Sequence, residues 1–325
     1  MQNIKIGNLQ INSQVSLAPM AGITDYVLRS LVRKYSKTCL LTTEMISSEA
    51  LAQHRDGVIL NRDNDHSPIS YQLSGHKPEL MAMSAKKLEN FADIIDINMG
   101  CPVNKVVKGQ DGSALMRNPM LACELVKAIK SVVNIPVSVK FRLGYTSSEM
   151  NFVEYGVQMQ EAGADFITIH GRTRAQMYAG NANWDLIKDL KKNVDIPVFA
   201  NGDVVSIETA VDCLEKSGAD GVAVGRGILG DPTLISRIER FLTDGVIIEP
   251  PTLEEKIELM KKHLDSEIAL RGELDGIRFV RKFYPFYINK VENAAKYRYN
   301  LVREENYKMI IKYLDDILSN ENSLV

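Results

Sequence analysis

Ile135-Pro136-Val137, followed downstream by Gly163-Ala164-Asp165, returns as Ile196-Pro197-Val198, followed by Gly218-Ala219-Asp220. Each Ile-Pro-Val opens a run of branched apolar residues, and each Gly-Ala-Asp leads into the next such run. One helix's worth of chain lies between them, so the second half carries a strand-helix-strand unit twice. Working outward, short apolar runs that each precede a helical stretch occupy 16–19, 39–43, 69–73, 94–98, 137–141, 166–170, 198–201 and 221–225. Eight such alternations predict an α/β chain folded as a (β/α)8 TIM barrel. A doubly wound sheet would carry its glycine fingerprint after the first strand, where this chain reads Pro19-Met20-Ala21-Gly22. Ahead of the barrel, residues 3–12 alternate apolar and polar side chains about Gly7-Asn8, the pattern of a tight hairpin that would lie as a lid on one end.

The barrel pattern stops near 244–251. Pro250-Pro251 then leads into Thr252-Leu253-Glu254-Glu255, a capping box that starts a helix. Apolar residues follow at helical spacing, at Ile257, Met260, Leu264 and Ile268 and again at Tyr307, Ile310, Ile311, Leu314 and Ile317. The expected organisation is a barrel over 1–245 and a small helical bundle over 252–325. The whole chain of 325 residues has a formal charge of −2, 45% apolar and 25% charged residues, the balance of a soluble globular protein. Any affinity for a polyanion must therefore be local. Such a patch exists between Arg271 and Arg303, where eight Lys or Arg face three acids, a balance of +5. Phe279, Phe283, Tyr284, Phe286, Tyr287, Tyr297 and Tyr299 are interleaved with them, either as a surface that grips a phosphate backbone and stacks on bases or as an aromatic core under a solvated face. Cys39, Cys101, Cys123 and Cys213 are too scattered for a metal cluster, and no run is long enough to span a membrane. A cytoplasmic protein without metal or membrane attachment is expected.

Chemistry in a barrel gathers at the carboxyl ends of the strands. Residues 96–102, Asp-Ile-Asn-Met-Gly-Cys-Pro, read as a strand that ends in a loop presenting a thiol, since a residue before proline disfavours helix. Taken alone, Cys101 would read as a small buried hydrophobe, the usual state of a free cysteine. The polar residues at the other strand ends are Glu44, Gln72, Asn98, Lys140, Arg142, His170 and Asn201. Two cations among amides suit a heteroaromatic ring with carbonyls and developing negative charge. Asn201-Gly202-Asp203 and Gly225-Arg226 close the last two strands, where glycine turns and a guanidinium would hold an anion such as a phosphate, or serve only turn geometry. The match of Gly225-Arg226-Gly227-Ile228-Leu229-Gly230 to a dinucleotide fingerprint follows the last strand and not the first, so it carries little.

Read together, LAPMAGITD (17–25), TTEM (42–45), YQLSG (71–75), DINMGCPVNKVVKGQDGSALM (96–116), VKFRLG (139–144), ITIHGRTRAQMYAG (167–180), ANGDV (200–204) and VGRGILGDP (224–232) resemble the bacterial flavin-dependent tRNA-dihydrouridine synthases. The resemblance runs through the whole barrel, and more loosely through the tail. It implies FMN as cofactor, NADPH as reductant and tRNA as substrate. By the same resemblance Pro19, Met20, Ala21, Gln72, Lys140 and His170 contact the flavin. Asn201, Gly202, Asp203, Gly225 and Arg226 surround its phosphate. Asn98, Arg142 and Tyr178 hold the uracil, and Cys101 is the catalytic acid. Arg278, Arg281 and Lys282 belong to the tRNA-binding tail of a monomer. A thiol, whose ordinary pKa is about 8.5, is mostly protonated at neutral pH and suits that acid role. A flavin barrel acting on a free pyrimidine would leave the basic tail idle. An RNA-binding protein without catalysis would leave Cys101, Lys140 and His170 idle.

Overall fold

A computed structural model describes residues 3–53, 67–289 and 291–322. Lys290, one of the eight basic residues between Arg271 and Arg303, lies outside the described residues. The strands are β1 (Ile4–Ile6), β2 (Leu9–Ile11), β3 (Val15–Leu17), β4 (Leu41–Thr42), β5 (Ile46–Ser47), β6 (Ile69–Ser74), β7 (Ile94–Asn98), β8 (Val137–Arg142), β9 (Phe166–His170), β10 (Val198–Asn201) and β11 (Gly221–Val224). From β3 onward they run parallel in the order β3-β11-β10-β9-β8-β7-β6-β4, with β5 prolonging the β4 stave beside β6. The Leu17 amide donates to Leu40 O at 2.8 Å and brings the two ends of the sheet together. Eight staves thus form the predicted TIM barrel, most of them buried along their whole length, as parallel strands covered on both faces must be.

The repeat that announces the fold has a mechanical role at the amino ends of the strands. Asp165 Oδ2 accepts from the Val137 amide at 2.8 Å, and the Asp165 amide donates back to Val137 O at 2.7 Å. Asp220 does the same to Val198, at 2.7 and 2.9 Å. A third clasp of this kind joins Asp93 to Ile69, at 2.7 and 2.9 Å. Each aspartate satisfies the first amide of the neighbouring stave, and Lys130 and Lys191 balance the charge of Asp165 and Asp220.

The hairpin β1–β2 covers this same end. Ile4, Ile6 and Ile11 pack on Leu40, Ile94, Phe166, Phe199 and Ala223, so apolar side chains plug the amino end of the barrel. Gly7 turns the hairpin at φ +57°, and a side chain there would come within 3.2 Å of Asp165 and Pro136. The opposite, carboxyl end is left for polar residues.

Helix Leu234–Asp244 is the last to pack beside the barrel staves in chain order, and helix Leu253–Arg271 opens the tail at the expected capping box, with Thr252 Oγ1 accepting from the Glu255 amide. Helices Glu273–Val280, Tyr284–Tyr287, Ala294–Leu301 and Tyr307–Asn322 follow. Ile257, Met260, Leu264, Ile277, Ile310, Leu314 and Ile317 form their core. Phe283, Tyr284 and Tyr287 are buried in it too, so three of the seven aromatics considered for base stacking serve packing instead. Interleaving with charges did not distinguish them, because helical spacing puts alternate rings on opposite faces.

Candidate active site

Cys101 sits on a turn pinned from both sides. The Met99 amide donates to Lys140 O at 2.8 Å, and Gly100 passes so close to β8 that a side chain would lie 3.2 Å from Phe141 Cα. Asn98 Oδ1 accepts from the Gly100 amide at 3.2 Å and the Cys101 amide at 2.9 Å. On the far side, the Ser113 amide and Oγ donate to Cys101 O at 3.1 and 2.9 Å, through a left-handed turn at Gly112, φ +59°. The thiol is free and half-buried, so the reading of Cys101 as a core hydrophobe falls away.

Lys140 and Arg142 face the same side of β8, level with Asn98 and His170 on the flanking strands. Neither cation makes an ion pair with an acid among the described residues. Buried Arg142 donates from Nε to Gly100 O at 2.8 Å and from Nη1 to Thr173 O at 3.0 Å and Met177 O at 2.8 Å. It thereby ties the cysteine loop to the loop after β9, and burial lowers its pKa to about 10. Lys140 makes no side-chain hydrogen bond among the described residues. Burial, with Arg142 close by, pulls its pKa down to about 8 against the opposing charge of Asp96. His170 is held well below the ordinary imidazole range by burial and then by Arg142, Lys140, Arg172 and Arg226. Arg172 Nη1 stands 3.3 Å from His170 Nε2. Since a guanidinium only donates, Nε2 is assigned as the acceptor and Nδ1 carries the proton.

At the ends of β10 and β11, Asn201 Nδ2 donates to Ala223 O at 2.7 Å. Gly202 turns at φ +117°, with His170 Cδ2 2.9 Å from where its side chain would begin. Asp203 accepts from Arg172 Nη2 and from the Ala182 amide, both at 2.7 Å, and lies 3.6 Å from Arg226. Arg226 is half-exposed, 5.0 Å above the Tyr178 ring, and Arg142 approaches the same ring at 5.7 Å. Gly225 leaves a gap in which a side chain would meet only Met20, Asn201 and Ala18, at 3.8 Å or more. Pro19, Met20 and Ala21 complete this rim on the turn after β3, where Met20 O accepts from the Ile23 and Thr24 amides.

The sequence matches the family described as Dihydrouridine synthase (Dus) over residues 16–320. This chain belongs to that family. A probable tRNA-dihydrouridine synthase 1 of Synechocystis sp. is 40% identical over 318 residues, covering 97% of this chain and 89% of the relative. The tRNA-dihydrouridine synthase B of Shewanella oneidensis is 37% identical over 324 residues, 98% of this chain and 100% of the relative. Among solved structures, the old yellow enzyme homologue from Zymomonas mobilis aligns with a TM-score of 0.53 over 78% of this chain and 95% of its own, at 13% identity, a likeness of fold.

In this member of the dihydrouridine synthase family the singled-out barrel residues converge on one mouth, and of those in the tail Arg278 and Arg281 stand apart. Arg278 Nε and Arg281 Nη2 both reach Glu305, at 3.0 and 3.1 Å. Lys282 turns the other way. Its ammonium donates to Gly22 O beside the mouth and lies 3.2 Å over the Phe279 ring. The Gly22 amide in turn donates to Glu44, so one loop residue is gripped from two sides. Arg271 adds a second tie, to Asp25 at 2.6 Å and Glu267 at 2.7 Å. Burial and then the charge of Glu267 push Asp25 up to about 6. Sequence reasoning did not single out Arg172 or Asp96, although both are buried against the site. Strand alternation was the available signal for Asp96, since it places that carboxylate on the same face as Asn98. Among the described residues no group of three His, Cys, Asp or Glu is placed to hold a metal, and no helix is long and apolar enough to cross a membrane.

Proposed function

We propose that this chain reduces the C5–C6 double bond of D-loop uridines in tRNA to 5,6-dihydrouridine, with FMN at the barrel mouth and NADPH as reductant. The observation that carries the reading is a mouth, in a chain matched by the family over residues 16–320, that sets a half-buried thiol near two cations which form no ion pair with an acid among the described residues. The residues fit a flavin. Lys140 makes no side-chain hydrogen bond among the described residues and suits the electron-rich edge of the ring system. The gap at Gly225, with Asn201, Gly202, Asp203 and half-exposed Arg226, suits its phosphate, while Asp203 keeps Arg226 in place. Pro19, Met20, Ala21, Gln72 and His170 would line the rest of the ring.

FMN held by these residues and reduced by NADPH would supply the hydride that C6 of the uracil accepts. Negative charge then grows on C5 and O4. Cys101 donates the proton to C5 from its thiol, and the thiolate left behind recovers a proton from solvent, so the uracil gains two hydrogens. Asn98 and Arg142 hold the carbonyl edge on which that charge develops, and Tyr178 flanks it. The low pKa of His170 keeps the imidazole neutral, a donor through Nδ1 that adds no charge beside the cations. In this reading residues 1–245 are the catalytic unit, and 252–325, with Arg278 and Arg281, offset the few kcal/mol needed to draw a uridine from its stack. The same reading makes the enzyme a cytoplasmic monomer without a metal requirement.

The test is direct. Purified protein given FMN, NADPH and unmodified tRNA should convert uridine to a species two hydrogens heavier, read by nucleoside mass spectrometry. Identical dihydrouridine profiles in tRNA from cells with and without the protein would defeat the proposal.

A further inference from the structure

Asp96 of β7 has no part in the chemistry above, yet it is buried two residues before Asn98 and five before Cys101. Its Oδ1 accepts from Ser138 Oγ at 2.6 Å and its Oδ2 from Gln72 Nε2 at 2.6 Å. Gln72 Oε1 accepts from Asn98 Nδ2 at 2.7 Å, and Asn98 Oδ1 accepts from the Gly100 and Cys101 amides. The sense of every bond in this series is forced. A backbone N–H only donates, so, read outward from the turn, Asn98 and then Gln72 each have a single consistent orientation and Asp96 Oδ2 is left to accept. Turning Gln72 over would set its carbonyl against Asp96. Turning Asn98 over would set its NH2 against two N–H groups.

We propose that Asp96 is a positioning residue which, through Gln72 and Asn98, fixes the turn that presents Cys101. The inference rests on the reading of Cys101 as proton donor and deepens it. A buried series of this kind is stiff, because each bond polarises the next and any member left unpaired in a low-dielectric interior is costly. It also decides what Asn98 can offer a ligand. Its carbonyl is taken up by the turn, and one N–H, facing Met45 Sδ at 3.8 Å, remains for an acceptor such as a uracil carbonyl.

Asp96→Asn keeps the side-chain volume but leaves one acceptor oxygen where two donors, Gln72 Nε2 and Ser138 Oγ, converge. Four quantities are measured on the full chain: site-resolved alkylation of Cys101 by iodoacetamide, FMN content, flavin reduction by NADPH, and single-turnover flavin reoxidation by unmodified tRNA. At saturating FMN, the FMN content and the NADPH step should stay within about twofold, while reoxidation by tRNA slows roughly 10- to 100-fold, the effect of misplacing a reacting group by about 1 Å. Affinity for tRNA should not change, and the alkylation rate of Cys101 should shift clearly. Gln72→Met breaks the series at its centre without altering charge. It should move alkylation in the same direction, even where Asp96→Asn does not fold. Alkylation and reoxidation rates equal to those of the unaltered chain would overturn the inference. An unaltered chain that leaves tRNA unreduced would instead defeat the functional reading, with the alkylation comparison still decisive for the series.

Discussion

Replacing Cys101 by alanine removes the proposed proton donor while leaving the bonds that shape its turn, because those run through its backbone amide and carbonyl. FMN binding and reduction by NADPH should persist, and uridine reduction should slow by roughly 10² to 10⁴, the usual worth of a positioned general acid. Unaltered single-turnover rates with tRNA would mean that another group supplies the proton. Lys140 gives a pH signature. Its pKa in the folded chain, about 8, lies below the ordinary 10.5, so the folded state releases this proton before the unfolded chain does. Between those values stability gains from this group as pH rises. The mouth meanwhile loses its cation as pH passes 8. The affinity of FMN for the apoprotein should weaken about tenfold between pH 7 and 9, following the charged fraction of one such group. Lys140→Met should bind FMN more weakly with a flat profile, and an equal slope in both proteins would exclude Lys140 as the source. These residues were legible because strand alternation and strand ends locate them. Arg172 was not, because its role lies in bonds to His170, Asp203 and loop carbonyls that no spacing encodes.

At the level of elements, the two Ile-Pro-Val and Gly-Ala-Asp pairs were readable because the aspartate that clasps each stave lies at a fixed place before the next one. The third clasp, Asp93 on Ile69, escaped because Ser67-Pro68-Ile69 lacks the leading isoleucine and Phe91-Ala92-Asp93 lacks the glycine. The hairpin pattern was plain, but which end of the barrel it covers depends on contacts between Ile4, Ile6, Ile11 and residues far along the chain. Ile6 is fully buried there. Ile6→Ala should cost about 2 to 5 kcal/mol through a cavity at the closed end. FMN content should be unchanged, because the mouth lies at the opposite end. A urea midpoint equal to that of the unaltered protein would show that the hairpin is dispensable for the barrel. In the tail, helix periodicity was clear, whereas the division of its aromatics between core and surface was not, since a ring fits either side of an amphipathic helix.

Across the whole molecule, the two tail arginines proposed to grip RNA are already paired within the chain. Glu305 already engages Arg278 and Arg281. Glu305→Gln should therefore tighten tRNA binding, and the double change Arg278→Ala with Arg281→Ala should weaken it and flatten the dependence of log Kd on log salt by roughly one to two units. Neither should alter flavin reduction by NADPH. Equal salt slopes in the double variant and the parent would remove these arginines from the RNA contact. The junction carries a separate consequence. Gly22, one residue past the Pro19-Met20-Ala21 rim, leans on Lys282, and Asp25 leans on Arg271. The tail is thus a buttress for the shelf on which the cofactor would rest. A chain cut at residue 245 would forfeit both props, so its failure on RNA would report a slumped shelf as much as a missing grip.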